Sequence, residues 1–393
     1  MRLLLAGNGL AQALQFGAVF ILVRIYEPQD FGILAQVQSI ATLAVVVGTL
    51  QLHLTIPLLS RNLDMAREVT VKIESLCFFV LLVSLPFAIW LGGITIFVAF
   101  VALGVGLSNT YSAYLVYEGR FSSLSTFYVV RAVLIIAMQL LFAVVEMSNG
   151  ILWATVIGEG VAAASLRLMS LGLMPIYINP REILSLIIRN KSFSLYGTLQ
   201  ELISVLAFYV PLLFFTYRFG DNIAGHYAMA NRLIWGPVVL LSGSVAQVLY
   251  HRFGQSPPDT LARLWDLGYG RCIFGGTLLV IGFSFFLEDM YLWILGEQWE
   301  LASQLLPLHF TWGCIFLLSM PFRVSCLVMK LQKIQLWIDT IMFLVISVLF
   351  MFLEITPLQI MWGIVLIALI QNIALALTIC LSLRGRCAAG VSP

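Results

Sequence analysis

Apolar residues run along this chain in stretches of membrane length, and each stretch ends at a short knot of charge, proline or glycine. A bilayer core about 30 Å thick takes roughly 20 helical residues at about 1.5 Å each, so the knots divide the chain into spans. Twelve helices are predicted, near 3–25, 32–58, 73–90, 94–117, 126–146, 150–170, 193–217, 223–250, 267–287, 303–327, 334–354 and 358–381. The first knot, within ILVRIYEPQDFGILAQ (21–36), crowds Arg24, Glu27, Pro28, Asp30 and Gly32 into nine positions. It predicts a tight hairpin. Pro28 ends the outgoing helix by withholding a backbone donor, Arg24 and the acids satisfy each other, and Gly32 permits close approach on the return.

A second hairpin repeats the arrangement. RFGDNIAGHYAMA (218–230) sets Arg218, Asp221, Gly225 and Ala228 where the first has Arg24, Glu27, Gly32 and Ala35. The preceding helices share a fainter likeness, GLAQ at 9–12 and GTLQ at 197–200. Two halves with an even number of spans each have the same topology, so a pseudo-twofold axis along the membrane normal and a cavity between the halves are expected. Between them, NPREILSLIIRNK holds a helix signal: Asn179 as cap, Pro180 at the first position, and Glu182 completing a capping box. With Ile183, Leu184, Ile187 and Ile188 on its apolar side, this helix should lie on the inner leaflet. The expected organisation is an all-α polytopic membrane protein. A six-helix lobe covers 1–178, a linker helix 179–192, and a second six-helix lobe 193–393.

Composition agrees with this reading. Of 393 residues, 61% are hydrophobic and 10% charged, against about 25% charged in soluble domains, and the mean hydropathy is +1.00. A net charge of +2, with basic residues scattered along the chain, argues against a nucleic-acid partner. Placement says more than the sum. Fifteen Lys and Arg residues fall on the side of the N-terminus, only Arg24 and Arg218 fall opposite, and Arg131, Arg232, Arg271 and Arg323 fall within spans. The positive-inside rule puts both termini in the cytoplasm. Arg2 before an apolar run imitates a signal peptide, but Asn8, Gln12 and Gln15 interrupt it and no small-residue cleavage site follows, so a retained first helix is expected. The longest outer connection, near 288–302, has about fifteen residues, too few for a catalytic domain. Six cysteines without CxxC spacing and four histidines (His53, His226, His251, His309) without ligand spacing predict no disulfide, metal or cofactor.

Candidate chemistry lies in the polar residues that the spans carry. An ionisable group there costs about 2.5–3.5 kcal/mol on insertion scales, which makes Arg131, Glu159, Glu201, Arg232, Arg271, Arg323 and Asp339 candidates for the lining of a cavity. Arg131, Arg271, Arg323 and Asp339 stand within about five residues of an inner span end, where arginines snorkel. Glu159, in a GEG triplet near mid-membrane, has no neutralising neighbour in sequence; protonation, an Arg across the cavity, or ion coupling would each account for it. Glu201 and Arg232, of opposite sign on successive spans, line the cavity or pair with each other. Asn8, Gln12 and Gln15 form one helical stripe, for sugar hydroxyls or for another helix. Arg24 serves either the hairpin or a substrate. Tyr111, Tyr114 and Tyr117 read as an interfacial aromatic belt.

LVRIYEPQDFGILAQ, AGHYAMANRLIWGPVVLLSGSVAQVLYHRF (224–253) and WILGEQWELAS (293–303) together resemble the Wzx-type polysaccharide-biosynthesis flippases of the multidrug/oligosaccharidyl-lipid/polysaccharide exporter superfamily. The resemblance implies two six-helix lobes around a central cavity and transport of an undecaprenyl-pyrophosphate-linked oligosaccharide, such as an O-antigen repeat unit, across the bacterial inner membrane by alternating access. Its partners would be the lipid-linked substrate and the bilayer, with a polysaccharide polymerase and glycosyltransferases as associates. An ion-coupled drug or cation antiporter of the same superfamily is the nearest alternative, using Glu159, Glu201 or Asp339. A membrane polymerase or ligase would need a large outer loop. A major-facilitator carrier would need a GxxxDRxGRR-like inner loop, and RNLDMAREVTVK (61–72) does not supply it.

Overall fold

The computed structural model describes residues 2–59, 62–172, 179–254, 282, 287–329, 331–352 and 356–389. They form two compact units, Met1–Gly225 and His226–Pro393. All regular elements among the described residues are helical.

The first unit holds α1 (Arg2–Leu22), α2 (Pro28–Thr49), α3 (Leu63–Leu91), α4 (Thr95–Tyr117), α5 (Phe121–Val144), α6 (Gly150–Ser170), the short α7 (Pro180–Arg189) and the start of α8 (Thr198–Gly254). α4 is central to it, packing on α2, α3 and α6, while α5 bridges α6 and α1. Lipid tails are as apolar as leucine, so helices gain most where small residues let backbones approach. Gly104 does this on α4: a Cβ there would stand 2.8 Å from the Cβ of Glu159 on α6. Around this contact Leu107, Tyr111, Leu115, Phe127, Ala162 and Leu166 form a buried cluster.

The second unit continues from the far part of α8 and includes α9 (Leu287–Leu295), α10 (Glu300–Val328), α11 (Gln332–Phe352) and α12 (Pro357–Ala389). α10 packs on α12, and α11 on α12. Aromatic rings fill the space between α8 and α10, with Trp235 edge-on to Trp312 at 4.6 Å, Tyr227 to His309 at 4.8 Å and His226 to Trp299 at 5.6 Å. Both histidines are thus packing residues.

Eleven of the twelve expected spans carry helices; the ninth, 267–287, lies almost wholly outside the described residues. α8 serves two spans because Gly220, with φ of 83°, breaks it. Several boundaries differ from expectation. The second span ends at Thr49, where Leu50 and Gln51 turn left-handed and a 3-10 segment, Leu52–Leu58, follows. There, burial pushes the His53 imidazole down to about 4. The third helix starts ten residues early, at Leu63, capped by the Asn62 side chain. The expected outer loop near 288–302 is largely α9 and the start of α10, since LEDMYLWIL is apolar enough to keep a helix.

The first hairpin forms, with one correction: Pro28 begins α2 and does not end α1. Proline suits the first helical position because its missing donor would have no partner there. Asp30 accepts from the Glu27 amide at 3.1 Å, and α1 closes through 23–26, where Tyr26 Oη donates to the Gln139 carbonyl at 2.7 Å. The two glycines that the repeat aligned face each other. A Cβ on Gly32 would overlap the Asp221 carbonyl, and one on Gly225 the Pro28 carbonyl. Gln36 donates to Asp221 at 2.5 Å across the same contact.

α7 forms as expected: Asn179 accepts from the Arg181 amide at 3.1 Å and donates to Glu182 at 3.0 Å. Its apolar residues divide between two flanks. Ile183 and Leu186, with Ile187 beside them, sit on Leu52, Ile56, Ala66 and Ile73, whereas Leu184 and Ile188 remain exposed.

Because backbone meets backbone at the glycine pair, no side-chain adjustment makes room for a methyl group. Gly225→Ala is expected to lower thermal stability in detergent by about 1–3 kcal/mol. Gly9→Ala, which meets nothing within 4 Å, should leave the melting temperature unchanged or raised, as scanning fluorimetry of the two purified variants would read.

Candidate functional site

Most of the intramembrane charges resolve into ion pairs between neighbouring helices. Arg131 on α5 grips Glu159 on α6 through two hydrogen bonds, one from Nε at 2.9 Å and one from Nη2. The glutamate is buried, Gly104 leaves space against its Cβ, and its partner stands on the adjacent helix of the same unit. Arg131 also lies deeper than the span count implied. α5 begins at Phe121, which puts it ten residues, or about 15 Å, along the helix; it is not a snorkelling residue.

In the second unit Arg323 on α10 reaches Asp339 on α11 at 3.3 Å, and Gln371 on α12 donates to the other carboxylate oxygen at 2.5 Å. Arg323 Nε also donates to Ser319 at 3.2 Å, and its guanidinium lies 5.6 Å from the Phe316 ring centre. Three helices are therefore fastened around one acid.

A third pair was missed in the sequence. Glu74, eleven residues into α3 and fully buried, accepts from Arg167 Nε of α6 at 2.6 Å. Placing the third span's start at 73 left Glu74 at its edge, and Arg167, near the end of the sixth span, was counted among the fifteen cations on the side of the N-terminus. The signal that would have exposed them was the Asn62 cap, which moves the helix start and carries Glu74 into the bilayer. The tyrosine stripe belongs to the same interior. Tyr111 and Tyr114 have no exposed surface, and Tyr114 accepts from Arg67 at 3.1 Å and donates to Glu118 at 3.0 Å, so it is not an interfacial belt.

Arg232 differs from these. It is half-buried on α8 and carries no hydrogen bond or ion pair among the described residues. Glu201 is exposed in the first turn of α8, at the far end of the preceding span. Asn8, Gln12 and Gln15 share a face of α1 as predicted, each half-exposed. They lie beside the packed face, where Gly7 touches Ser125 of α5 and Ala11 and Ala18 are buried. Arg24 is exposed in the turn after α1, and Arg271 lies outside the described residues. Among the described residues no group of three metal-ligating side chains converges.

Comparison with known proteins agrees with the helical architecture. Residues 21–304 match the family model described as "Polysaccharide biosynthesis protein". No curated protein matches the chain. Among solved structures, an inward-facing multidrug resistance MATE family transporter of the MOP superfamily is similar at a TM-score of 0.61 and 17% identity, covering 96% of this chain and 95% of that one. A MATE in complex with MaD3S gives 0.56 at 17% identity, and an outward-facing MATE family transporter 0.53 at 18%, each covering 98% and 95%. At such identities the likeness is one of fold.

Removing one member of a buried ion pair strands the other. Arg131→Met is expected to destabilise the protein by about 3 kcal/mol, and combining it with Glu159→Leu should recover most of the loss. Thermal unfolding of single and double variants reads this; additive losses would mean that the two side chains do not act as a pair.

Proposed function

The chain belongs to the polysaccharide biosynthesis protein family, and from that premise we propose that it is a flippase for lipid-linked oligosaccharide. It carries an undecaprenyl-pyrophosphate-linked repeat unit, of O-antigen or another surface polysaccharide, from the cytoplasmic to the periplasmic leaflet of the bacterial inner membrane. Alternating access is the mechanism, with lobes over 1–178 and 193–393 as its moving parts and the helix at 179–192 between them. Both termini face the cytoplasm, a side assigned by the fifteen-to-two distribution of Lys and Arg.

The observation that carries this reading is an asymmetry of charge. Among the described residues Glu74 and Glu159, which are buried, and Asp339, which is partly buried, each have an arginine, while Arg232 has no acid. A half-buried guanidinium without a counter-ion favours an anionic cargo, and its planar fork suits paired hydrogen bonds to phosphate oxygens. The amides of Asn8, Gln12 and Gln15 supply donors and acceptors of the kind that sugar hydroxyls need. A cation antiporter wants the reverse, an acid within the bundle free to exchange its proton; Glu159 and Asp339 are both engaged, and Glu201 is exposed in the first turn of α8. Nothing in this reading asks for bond chemistry, so the protein acts as a transporter and not as a polymerase or ligase.

In a strain whose surface polymer depends on this protein, Arg232→Ala should reduce the polymer at least tenfold at unchanged protein level, and Arg232→Lys should reduce it less. Immunoblots of the polymer and of the protein measure both. Polymer at wild-type level in Arg232→Ala would remove this residue from the substrate path. A deletion strain with intact polymer and new sensitivity to cationic dyes would favour the antiporter.

A further inference from the structure

α7 has more apolar surface than the first unit covers. Ile183, Leu186 and Ile187 face the protein, but Leu184 is 56% and Ile188 63% exposed, one turn apart on the neighbouring flank. Leu195 and Leu199 just beyond the helix are also open, at 60% and 55%. On the 3.6-residue period, Arg181 and Ser185 border the Leu184–Ile188 flank, and Arg189 follows on the same polar edge.

The charge on this edge has one sign. Arg181, Arg189 and Lys191 are exposed and carry no hydrogen bond or ion pair among the described residues. The acid of the helix, Glu182, is already held, by Lys72 of α3 at 3.2 Å and by Asn179 at 3.0 Å. α7 therefore offers an open apolar strip directly beside three cations unpaired among the described residues, and it is tied through Lys72 to α3.

We infer that α7 is a docking site for anionic phospholipid headgroups, with Leu184 and Ile188 entering the acyl boundary and Arg181, Arg189 and Lys191 meeting the phosphates. Such an arrangement fits a surface where hydrocarbon and phosphate lie side by side, and an acidic protein would leave the apolar strip without a matching partner. The site rests on the cytoplasmic assignment of this end, since the inner leaflet is where α7 would meet its lipid, but it requires no particular cargo. Through the Lys72–Glu182 bridge, headgroup binding at α7 is linked to α3.

Hydrogen exchange of the full-length protein in nanodiscs tests this without any transport substrate. Each cation at an anionic surface changes binding about fivefold, and three together about a hundredfold. Phosphatidylglycerol nanodiscs should therefore slow exchange of the α7 amides at least tenfold relative to phosphatidylcholine, with α4 unchanged. High salt should erase the difference, and so should Arg181→Gln, Arg189→Gln and Lys191→Gln combined; an unaltered melting temperature would show that this variant folds. Leu184→Ser with Ile188→Ser should speed α7 exchange in both lipids yet keep the preference for phosphatidylglycerol. Equal exchange of wild type in the two lipids overturns the inference, as does a phosphatidylglycerol effect that survives the triple substitution. Protection that appears only when undecaprenyl pyrophosphate is added would assign the cations to substrate capture and also overturn it. The flippase reading would stand or fall separately, on the polymer.

Discussion

A charge in hydrocarbon has to find a partner, and that requirement organises this molecule more than any other. Insertion of an arginine or acid at the middle of a span costs about 2.5–3.5 kcal/mol, and the structure meets this cost by neutralising charges between adjacent helices. Glu159 with Arg131 joins α6 to α5, Glu74 with Arg167 joins α3 to α6, and Asp339 with Arg323 and Gln371 joins α10, α11 and α12. Without an excess of water to drive helices together, these bonds and the close approaches at small residues supply the adhesion. Gly104 beneath Glu159 shows both at one point, because the missing side chain brings α4 near enough to cover the buried acid.

Helices were legible in the sequence and their mutual contacts were not. A span announces itself locally, through twenty apolar residues between interruptions, and even the Gly220 break between two spans was marked by the charged and glycine-bearing run RFGDNIAG. Pairing is a different kind of information. Arg131 and Glu159 are 28 positions apart, Glu74 and Arg167 are 93 apart, and the alternation of hydrophobic and polar residues does not encode which helix stands beside which. For Glu159 an arginine across a cavity was one of three accounts, beside protonation and ion coupling, and the arginine stands instead on the next helix. Errors at helix ends compound this. Reading α3 as beginning at 73 hid Glu74, and reading α5 as beginning at 126 made Arg131 look shallow.

The repeat is an intermediate case, in which residue type alone aligned two segments that the structure brings together. RIYEPQDFG and RFGDNIAG were aligned by residue type alone, and their glycines meet backbone to backbone, with Gln36 of one reaching Asp221 of the other. Equivalent segments that touch must do so with matching surfaces, and glycine is the residue that permits two such turns to meet without a side chain between them. What the alignment left out was the contact itself: similarity of two hairpins does not say that they are neighbours.

The ion pairs also bear on how a carrier of this kind can move. Every pair described here joins helices of the same unit, so each makes its own unit harder to deform and leaves the remaining freedom to the breaks between helices. Gly220, at φ of 83°, is one such break, in the chain between the seventh and eighth spans. In the flippase reading proposed above, alternating access needs bodies that keep their shape while their exposure changes, and a binding charge that is not already spent on holding a body together. Arg232 lies twelve residues beyond that break, outside the ion pairs found among the described residues. On that reading an anion arriving there meets a guanidinium that no carboxylate among the described residues holds, so binding need not break any of the ion pairs described here.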